Sequence, residues 1–333
     1  MTIAASAQAT EALQPGAQLG PYTLVCAVAQ GGMARVWAAR HGPTSNIVAL
    51  KTIRPEYASD PGFQALFMDE ARYAASVKHP AVAQVYGLGE ADGVLYIAME
   101  WVVGESLARI IKPNKGAATA PIPPLIAARL IADACEALHA AHEITDEDGR
   151  TIRLVHCDVS LQNLLVTIDG GVKLVDLGVA RALRAQSVAE VPKMDGKAAY
   201  MAPEHAAGKR ISRLSDVFTL GICLYEISTG VRPFSAGSWD ATIERLLAGE
   251  FQAPGEIVPE YPSALERILL RAMAQSPAHR FPSAMRMRAG LQDFLRASGS
   301  RVEREDVAAF LRHRAGRLID EREAHIARQA RGA

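Results

Sequence analysis

No part of this 333-residue chain holds an uninterrupted apolar run of the ~18–20 residues that a membrane-spanning helix needs. A basic surplus is also missing. Lys and Arg number 36 and so do Asp and Glu, which leaves a formal net charge of zero. That balance argues against wholesale nucleic-acid binding, which ordinarily leaves a basic excess, and leaves room for a local basic patch. Cysteine is scarce: Cys26, Cys135, Cys157 and Cys223 are scattered, with no CxxC pair and no metal-like spacing. That pattern fits reduced thiols in a cytosolic protein. From Met1 to Gln14 no basic residue precedes an apolar stretch, so the N-terminus does not read as a secretory signal. What is present is a composition that can pack, 49% hydrophobic and 22% charged. The length fits two lobes, or one domain with extensions. A soluble, cytoplasmic protein without a membrane span is expected.

The chain changes character along its length. Residues 1–20 are rich in Ala, Gln and Gly and predict a flexible leader. Short strands are expected at Tyr22–Val28, Ala34–Arg40 and Asn46–Ile53, broken at Gly31-Gly32 and by the turn residues from His41 to Ser45. Phe63, Phe67, Glu70, Ala74 and Val77 recur on one face, which predicts a helix over Pro61–Lys78, stopped by Pro80. Two more strands, Ala83–Gly87 and Val94–Glu100, complete a small β-rich region. Beyond Gly104 helix dominates: Pro124 opens a helix that runs to about His142, and further helices fill Ser215–Ala297. Asp169-Gly170-Gly171 between two apolar stretches predicts a hairpin. The last stretch, Arg301–Ala333, is rich in Arg and Glu and reads as helix, either packed back on the body or solvated.

Several short motifs follow one another in a fixed order. Val48-Ala49-Leu50-Lys51 ends the third strand, and Glu70 lies on the helix 19 residues later. His156-Cys157-Asp158, Asn163, Asp176-Leu177-Gly178 and Ala202-Pro203-Glu204 come next, then Asp216 and Arg280. In this order and spacing the chain resembles the protein kinase family over roughly Leu19 to Leu295. Gly31-Gly32-Met33 and the His-x-Asp-Val-Ser-x-Gln-Asn loop are similar to the bacterial serine/threonine branch.

The resemblance implies an α+β, bilobal fold with a small β-rich N-lobe and a larger helical C-lobe. Its expected boundaries are a kinase domain at 21–298 (N-lobe 21–99, hinge 100–104, C-lobe 105–298) and an Arg-rich helical tail at 299–333. It implies ATP and Mg²⁺ as cofactors and a protein hydroxyl as acceptor. Phosphoryl transfer gathers negative charge on phosphate oxygens, so the site must supply cations and donors. Lys51 would hold the α- and β-phosphates, oriented by an ion pair with Glu70. Asp158 would accept the proton of the incoming hydroxyl. Asn163 and Asp176 would bind Mg²⁺ through hard oxygen atoms. Ala49 would pack on the adenine ring, with Val36 and Leu165 completing the nucleotide-binding set. Met99 would be the gatekeeper, and the backbone of Glu100 and Val102 would hydrogen-bond the adenine. Ala29, Gly31 and Gly32 would form the phosphate loop. His156, Asp216 and the pair Glu204–Arg280 would be architectural.

Several positions depart from the family pattern. The phosphate loop reads Ala29-Gln30-Gly31-Gly32-Met33-Ala34, with alanine where the family has its outer glycines, so weaker nucleotide binding is expected. Cys157 replaces an arginine that often pairs with a phosphate on the activation segment, and between Gly178 and Ala202 Ser187 is the only hydroxyl residue besides Tyr200. Activation without phosphorylation of that segment is expected. Ser160 stands in place of a lysine, and Lys197 is the cation that could replace it. An active serine/threonine kinase is the leading reading. A pseudokinase scaffold is the alternative, and a small-molecule phosphotransferase is disfavoured by the segment ending in Ala202-Pro203-Glu204. The tail is a possible contact for a regulatory partner.

Overall fold

The computed structural model describes residues 13–31, 34–112, 118–145, 148–152, 154–177 and 198–332. The chain divides into two compact units, one running to Val103 and including Gly316 onward, the other spanning Gly104–Ala315.

The first unit is built on an antiparallel sheet of β1 (Gln18–Leu19), β2 (Tyr22–Gln30), β3 (Ala34–His41), β4 (Ile47–Ile53), β5 (Val85–Ala91) and β6 (Val94–Glu100), in the order β1-β2-β3-β4-β6-β5. Because side chains alternate along a strand, register decides what each face carries. Leu24, Trp37, Ala39, Val48, Leu50 and Ala98 fill one face, closed over by Leu19 and Tyr96. The cross-strand pairs Val36↔Lys51, Ala38↔Ala49 and Ala49↔Met99 put Val36, Ala38, Ala49, Lys51 and Met99 on the other.

Helix α1 (Pro61–Ser76) is capped by Asp60, whose carboxylate accepts from the N–H groups of Gly62 and Phe63, and proline occupies its first turn. Its buried stripe is Phe67, Ala71 and Ala74. It stops at Ser76, two residues short of the expected end, where Val77 turns to extended backbone. The expected leader is shortened as well: Gln18 and Leu19 pair with Thr23 and Tyr22, and Leu19 is 1% exposed because the outer sheet face needs an apolar cover. The strand expected at Ala83–Gly87 begins two residues later and runs on to Ala91, past a bulge between Val85 and Gly87.

In the second unit β7 (Gly104–Ser106), β8 (Leu164–Thr167) and β9 (Val172–Leu174) form a three-stranded antiparallel sheet. The turn between β8 and β9 is the one foreseen at Asp169-Gly170-Gly171, with Gly170 in the left-handed region at φ +82°. Helix α2 (Pro124–His142) is almost wholly apolar on its buried side. It packs against α3 (Arg213–Thr229) and α5 (Ala284–Ala297), while α4 (Ser263–Ala272) packs on α3. A reciprocal cap between Ser212 and Ser215 starts α3, and Gly230 ends it in the left-handed conformation.

The tail is a single helix, α6 (Arg304–Gly332). Val307, Leu311, Ala315, Ile319 and Ile326 are buried along it. The boundary between the two units falls within this helix, at Gly316.

Candidate active site

In the first unit Lys51 Nζ lies 2.5 Å from Glu70 Oε1, joining β4 to α1. Both side chains are about nine-tenths withdrawn from water, at 11% and 12% exposure. A pair so placed is held by geometry as well as charge, since solvent screens it weakly. Ala49 and Met99 lie side by side in adjacent strands and are buried. Val36 lies across from Lys51. The hairpin leading to the phosphate loop stays paired to its end through Ala29↔Val36 and Gln30↔Arg35, and the Gly31 N–H donates to the Ala34 carbonyl at 2.8 Å. Gly32, also expected in that loop, lies outside the described residues. Glu100, expected in the hinge, donates its N–H to the Gln84 carbonyl, and its carboxylate accepts from the Gln84 N–H. Val102 is buried.

The second unit holds the other half of the set. Asp216, on α3 and 1% exposed, accepts from the backbone N–H of His156 (2.8 Å), the N–H of Cys157 (2.9 Å) and His142 Nε2 (2.8 Å). Those bonds hold the loop before Asp158 in an unusual conformation, with Cys157 at a left-handed φ of +59°. The Asp158 N–H donates to His156 Nδ1 at 3.2 Å, which fixes that ring as the Nε2–H tautomer. Asn163 Nδ2 donates to the Asp158 carbonyl at 2.9 Å, and the Asn163 carbonyl accepts from the Val175 N–H at 3.0 Å. Asp176 follows at once, also left-handed at φ +52°. Asn163 is thus tied to Asp158 by its side-chain amide and to Val175, the residue before Asp176, by a backbone bond. Leu165 is on β8 two residues beyond Asn163.

Burial shapes the charges here. It pushes the His156 imidazole below its ordinary value, against the pull of Asp216 and Asp158. Burial works to raise the Asp216 carboxyl, yet the hydrogen bond from His142 and the charges of His142 and His156 hold it below the ordinary range.

The donor set suits a divalent cation. With Nδ2 committed to Asp158, the amide oxygen of Asn163 is the atom left for a metal, and Asp176 offers a carboxylate. Among the described residues no cluster of three or more His, Cys, Asp or Glu side chains makes a metal site from protein alone. A cation at Asn163 and Asp176 would therefore draw its remaining ligands from phosphate and water, as Mg²⁺ commonly does.

A profile of the protein kinase domain matches residues 22–289. The chain belongs to the protein kinase family. Among curated relatives of this kinase domain, the tyrosine-protein kinase MasK of Myxococcus xanthus is 39% identical over 305 residues, covering 90% of this chain and 46% of MasK. The serine/threonine-protein kinase PknB of Mycolicibacterium smegmatis is 37% identical over 267 residues, 78% of this chain and 41% of PknB. PrkC of Bacillus subtilis, also a serine/threonine-protein kinase, is 32% identical over 273 residues, 82% of this chain and 40% of PrkC. The chain thus spans less than half the length of these relatives. Of solved structures, the PknI kinase domain of Mycobacterium tuberculosis is 26% identical with a TM-score of 0.63, covering 85% of this chain and 99% of that one. The small β-rich lobe and larger helical lobe are those of the kinase fold.

A second network braces the interior of the helical unit. Arg280 Nη1 and Nη2 meet Glu204 Oε1 and Oε2 at 2.7 and 2.8 Å, a bidentate pair inside the helical unit. Ser215 Oγ donates to the same carboxylate at 2.6 Å, and Arg280 also reaches the carbonyls of Leu214, Ala274 and Gln275. Burial tends to raise the Glu204 carboxyl, and the bonds from Arg280 and Ser215 bring it below its ordinary value. Sequence reading missed His142, which only its buried bond to Asp216 reveals. It also missed a partly buried cluster in which Tyr200 Oη and Arg232 Nε donate to the two oxygens of Glu226. The positions of Ser187 and Lys197 lie outside the described residues.

Among the described residues no helix is long and apolar enough to cross a membrane.

Proposed function

We propose that this chain is a cytoplasmic serine/threonine protein kinase that transfers the γ-phosphoryl group of ATP, with Mg²⁺, to a protein hydroxyl. The observation that carries the reading is the Lys51–Glu70 ion pair at 2.5 Å. An ordinary surface lysine would not be held this way, and phosphate positioning needs it so. The names of PknB and PrkC support the serine/threonine preference.

In this reading Lys51 neutralises phosphate charge and is kept in place by Glu70. Ala49, Val36 and Met99 offer apolar surface to the purine, with the backbone of Glu100 and Val102 as its hydrogen-bonding edge. Asn163 and Asp176 hold Mg²⁺, which when bound offsets charge on the phosphate oxygens. Asp158 orients the acceptor hydroxyl and takes its proton as the new O–P bond forms and the bond to the departing ADP oxygen breaks. The loop through Ala29 and Gly31 covers the phosphates with fewer glycines than usual, so affinity rather than chemistry carries the cost. Lys197 supplies the positive charge that Ser160 lacks. The tail is where a regulatory partner would act.

The test is phosphotransfer from labelled ATP with Mg²⁺ to the protein itself and to a generic protein acceptor, beside Asp158→Ala. Label as phosphoserine or phosphothreonine is expected, and the variant should fall by about a hundredfold or more. Phosphotyrosine would instead align the acceptor preference with that in MasK's name. No label above the variant at saturating ATP would establish the scaffold alternative suggested by the alanines of the phosphate loop.

A further inference from the structure

The hinge carries a contact that phosphoryl transfer does not by itself require. Trp101 stands between Glu100 and Val102, and its indole Nε1 donates to Glu323 Oε2 of α6 at 3.2 Å. The guanidinium of the preceding Arg322 lies 5.9 Å from the centroid of the same ring. One helical turn further on, Ile326 is 2% exposed in a cluster with Val25, Cys26 and Ala38, against which Val28 and Trp101 also pack. Ala38 pairs across the strands with Ala49, so Ile326 packs on the sheet face that also carries Ala49, Val36 and Met99. Val28 directly precedes Ala29 of the phosphate loop. Glu323 lies close enough to this cluster to add, after burial, to the rise in the Cys26 thiol pKa.

These contacts have a mechanical consequence for the hinge. An indole at a strand end, anchored on one side by a carboxylate and stacked by a guanidinium, has few accessible rotamers. The peptide planes on either side of it are restrained with it. An apolar side chain placed beside Val28 and Ala38 keeps water from the rim of the same face.

We propose that the last turns of α6 belong to the nucleotide site: Glu323 is a positioning residue that acts through Trp101 on the hinge peptides of Glu100 and Val102, and Ile326 walls the apolar face beside Val28 and Ala38. This deepens the nucleotide reading above and rests on it.

The experiment compares the full chain with Glu323→Ala, Glu323→Gln, Trp101→Phe and the double variant Glu323→Ala/Trp101→Phe. It measures KM for ATP and kcat in phosphotransfer, and the Kd of ADP with Mg²⁺ by calorimetry. Losing the bond should raise KM and Kd about fivefold in Glu323→Ala, with kcat within about twofold. Glu323→Gln, whose amide oxygen still accepts from the indole, should restore both constants. Trp101→Phe keeps a ring without the donor and should match Glu323→Ala, and the double variant should be no worse than either. Should Glu323→Ala melt early, the Trp101→Phe and Glu323→Gln pair decides the matter alone. Unchanged KM and Kd, or effects that simply add, overturn the proposal. A fall in KM on losing the contact also overturns it, since the helix would then obstruct the site. Failure of the wild-type chain to bind ADP or ATP at all overturns the nucleotide reading itself, which a tight-binding wild type with equally tight variants does not.

Discussion

Arg280 is withdrawn entirely from water, yet every direction its guanidinium points has an acceptor: both oxygens of Glu204 and three backbone carbonyls. Removing the cation would leave the Glu204 carboxylate buried and uncompensated, and such losses cost about 3–5 kcal/mol. Arg280→Ala is therefore expected to lower the urea midpoint severely. Arg280→Lys should recover little of it, because an ammonium cannot form the fork. A midpoint within experimental error of wild type for either variant would mean the pair is not a brace. His156 makes a second prediction. Burial holds its imidazole below the ordinary value of about 6.5, so the folded loop excludes a proton that the unfolded chain accepts. The stability it contributes is complete above that pH and is lost as pH falls below it. Asp216, depressed in the fold, adds a further loss when pH falls through the carboxylate range. Urea midpoints measured from pH 8 down to pH 5 should decline below about 6.5. A flat profile would show that His156 takes up its proton equally in the folded and unfolded chains.

At the scale of elements, the β8–β9 hairpin and the start of α6 fit together through a glycine. Gly170 adopts φ +82°, and a Cβ there would overlap the Arg304 carbonyl and crowd the backbone nitrogen of Ala308. Both obstacles are main chain and cannot swing aside. Gly170→Ala should thus carry two penalties, a left-handed strain of about 1 kcal/mol and overpacking of about 1–3 kcal/mol. The melting temperature should fall by several degrees, measurable by circular dichroism, with no direct effect on the residues that would hold nucleotide. An equal melting temperature would mean that the first turn of α6 can move off the hairpin freely. Arg304, which reaches Asp169 at 3.4 Å, adds little here, since both side chains are more than half exposed.

At the scale of the whole molecule, α6 is part of the folded body. Val307, Leu311 and Ala315 are buried in the helical unit's portion of the chain, and Ile319 and Ile326 in the portion that clusters with the sheet unit. Burying each larger apolar side chain is worth about 1.5–3 kcal/mol, as an upper bound. A chain ending at Ser300 should therefore expose apolar surface in both units, melt at a lower temperature and aggregate on heating. Light scattering during a thermal ramp would show it. A truncated chain that melts like the full one would mark the helix as a detachable arm.

The order Lys51, Glu70, Asp158, Asn163, Asp176 was legible in the one-dimensional chain as a candidate site, because the residue types are those a phosphate site would demand and each gap is set by an intervening strand, helix or hairpin. The element pattern was legible for the same kind of reason. The short apolar stretch Val94–Glu100 read as a strand and is β6, and the proline that opens α2 placed that helix at Pro124–His142. Local signals stop where partners are far apart in sequence. Nothing near Gln18–Leu19 announces a strand, since its reason is the apolar face of β2 and its neighbours. His142 reads as one more helix histidine until Asp216, 74 residues on, receives its bond. The tail's composition allowed either a solvated or a packed helix. Trp101 and Glu323, 222 residues apart, carry no mutual signature in the sequence. The sequence by itself determined the family and the succession of elements, because both are written in residue type and short spacing. Tertiary structure alone decided what covers Trp101 and the sheet, because burial is settled by whichever distant apolar surface arrives to exclude water.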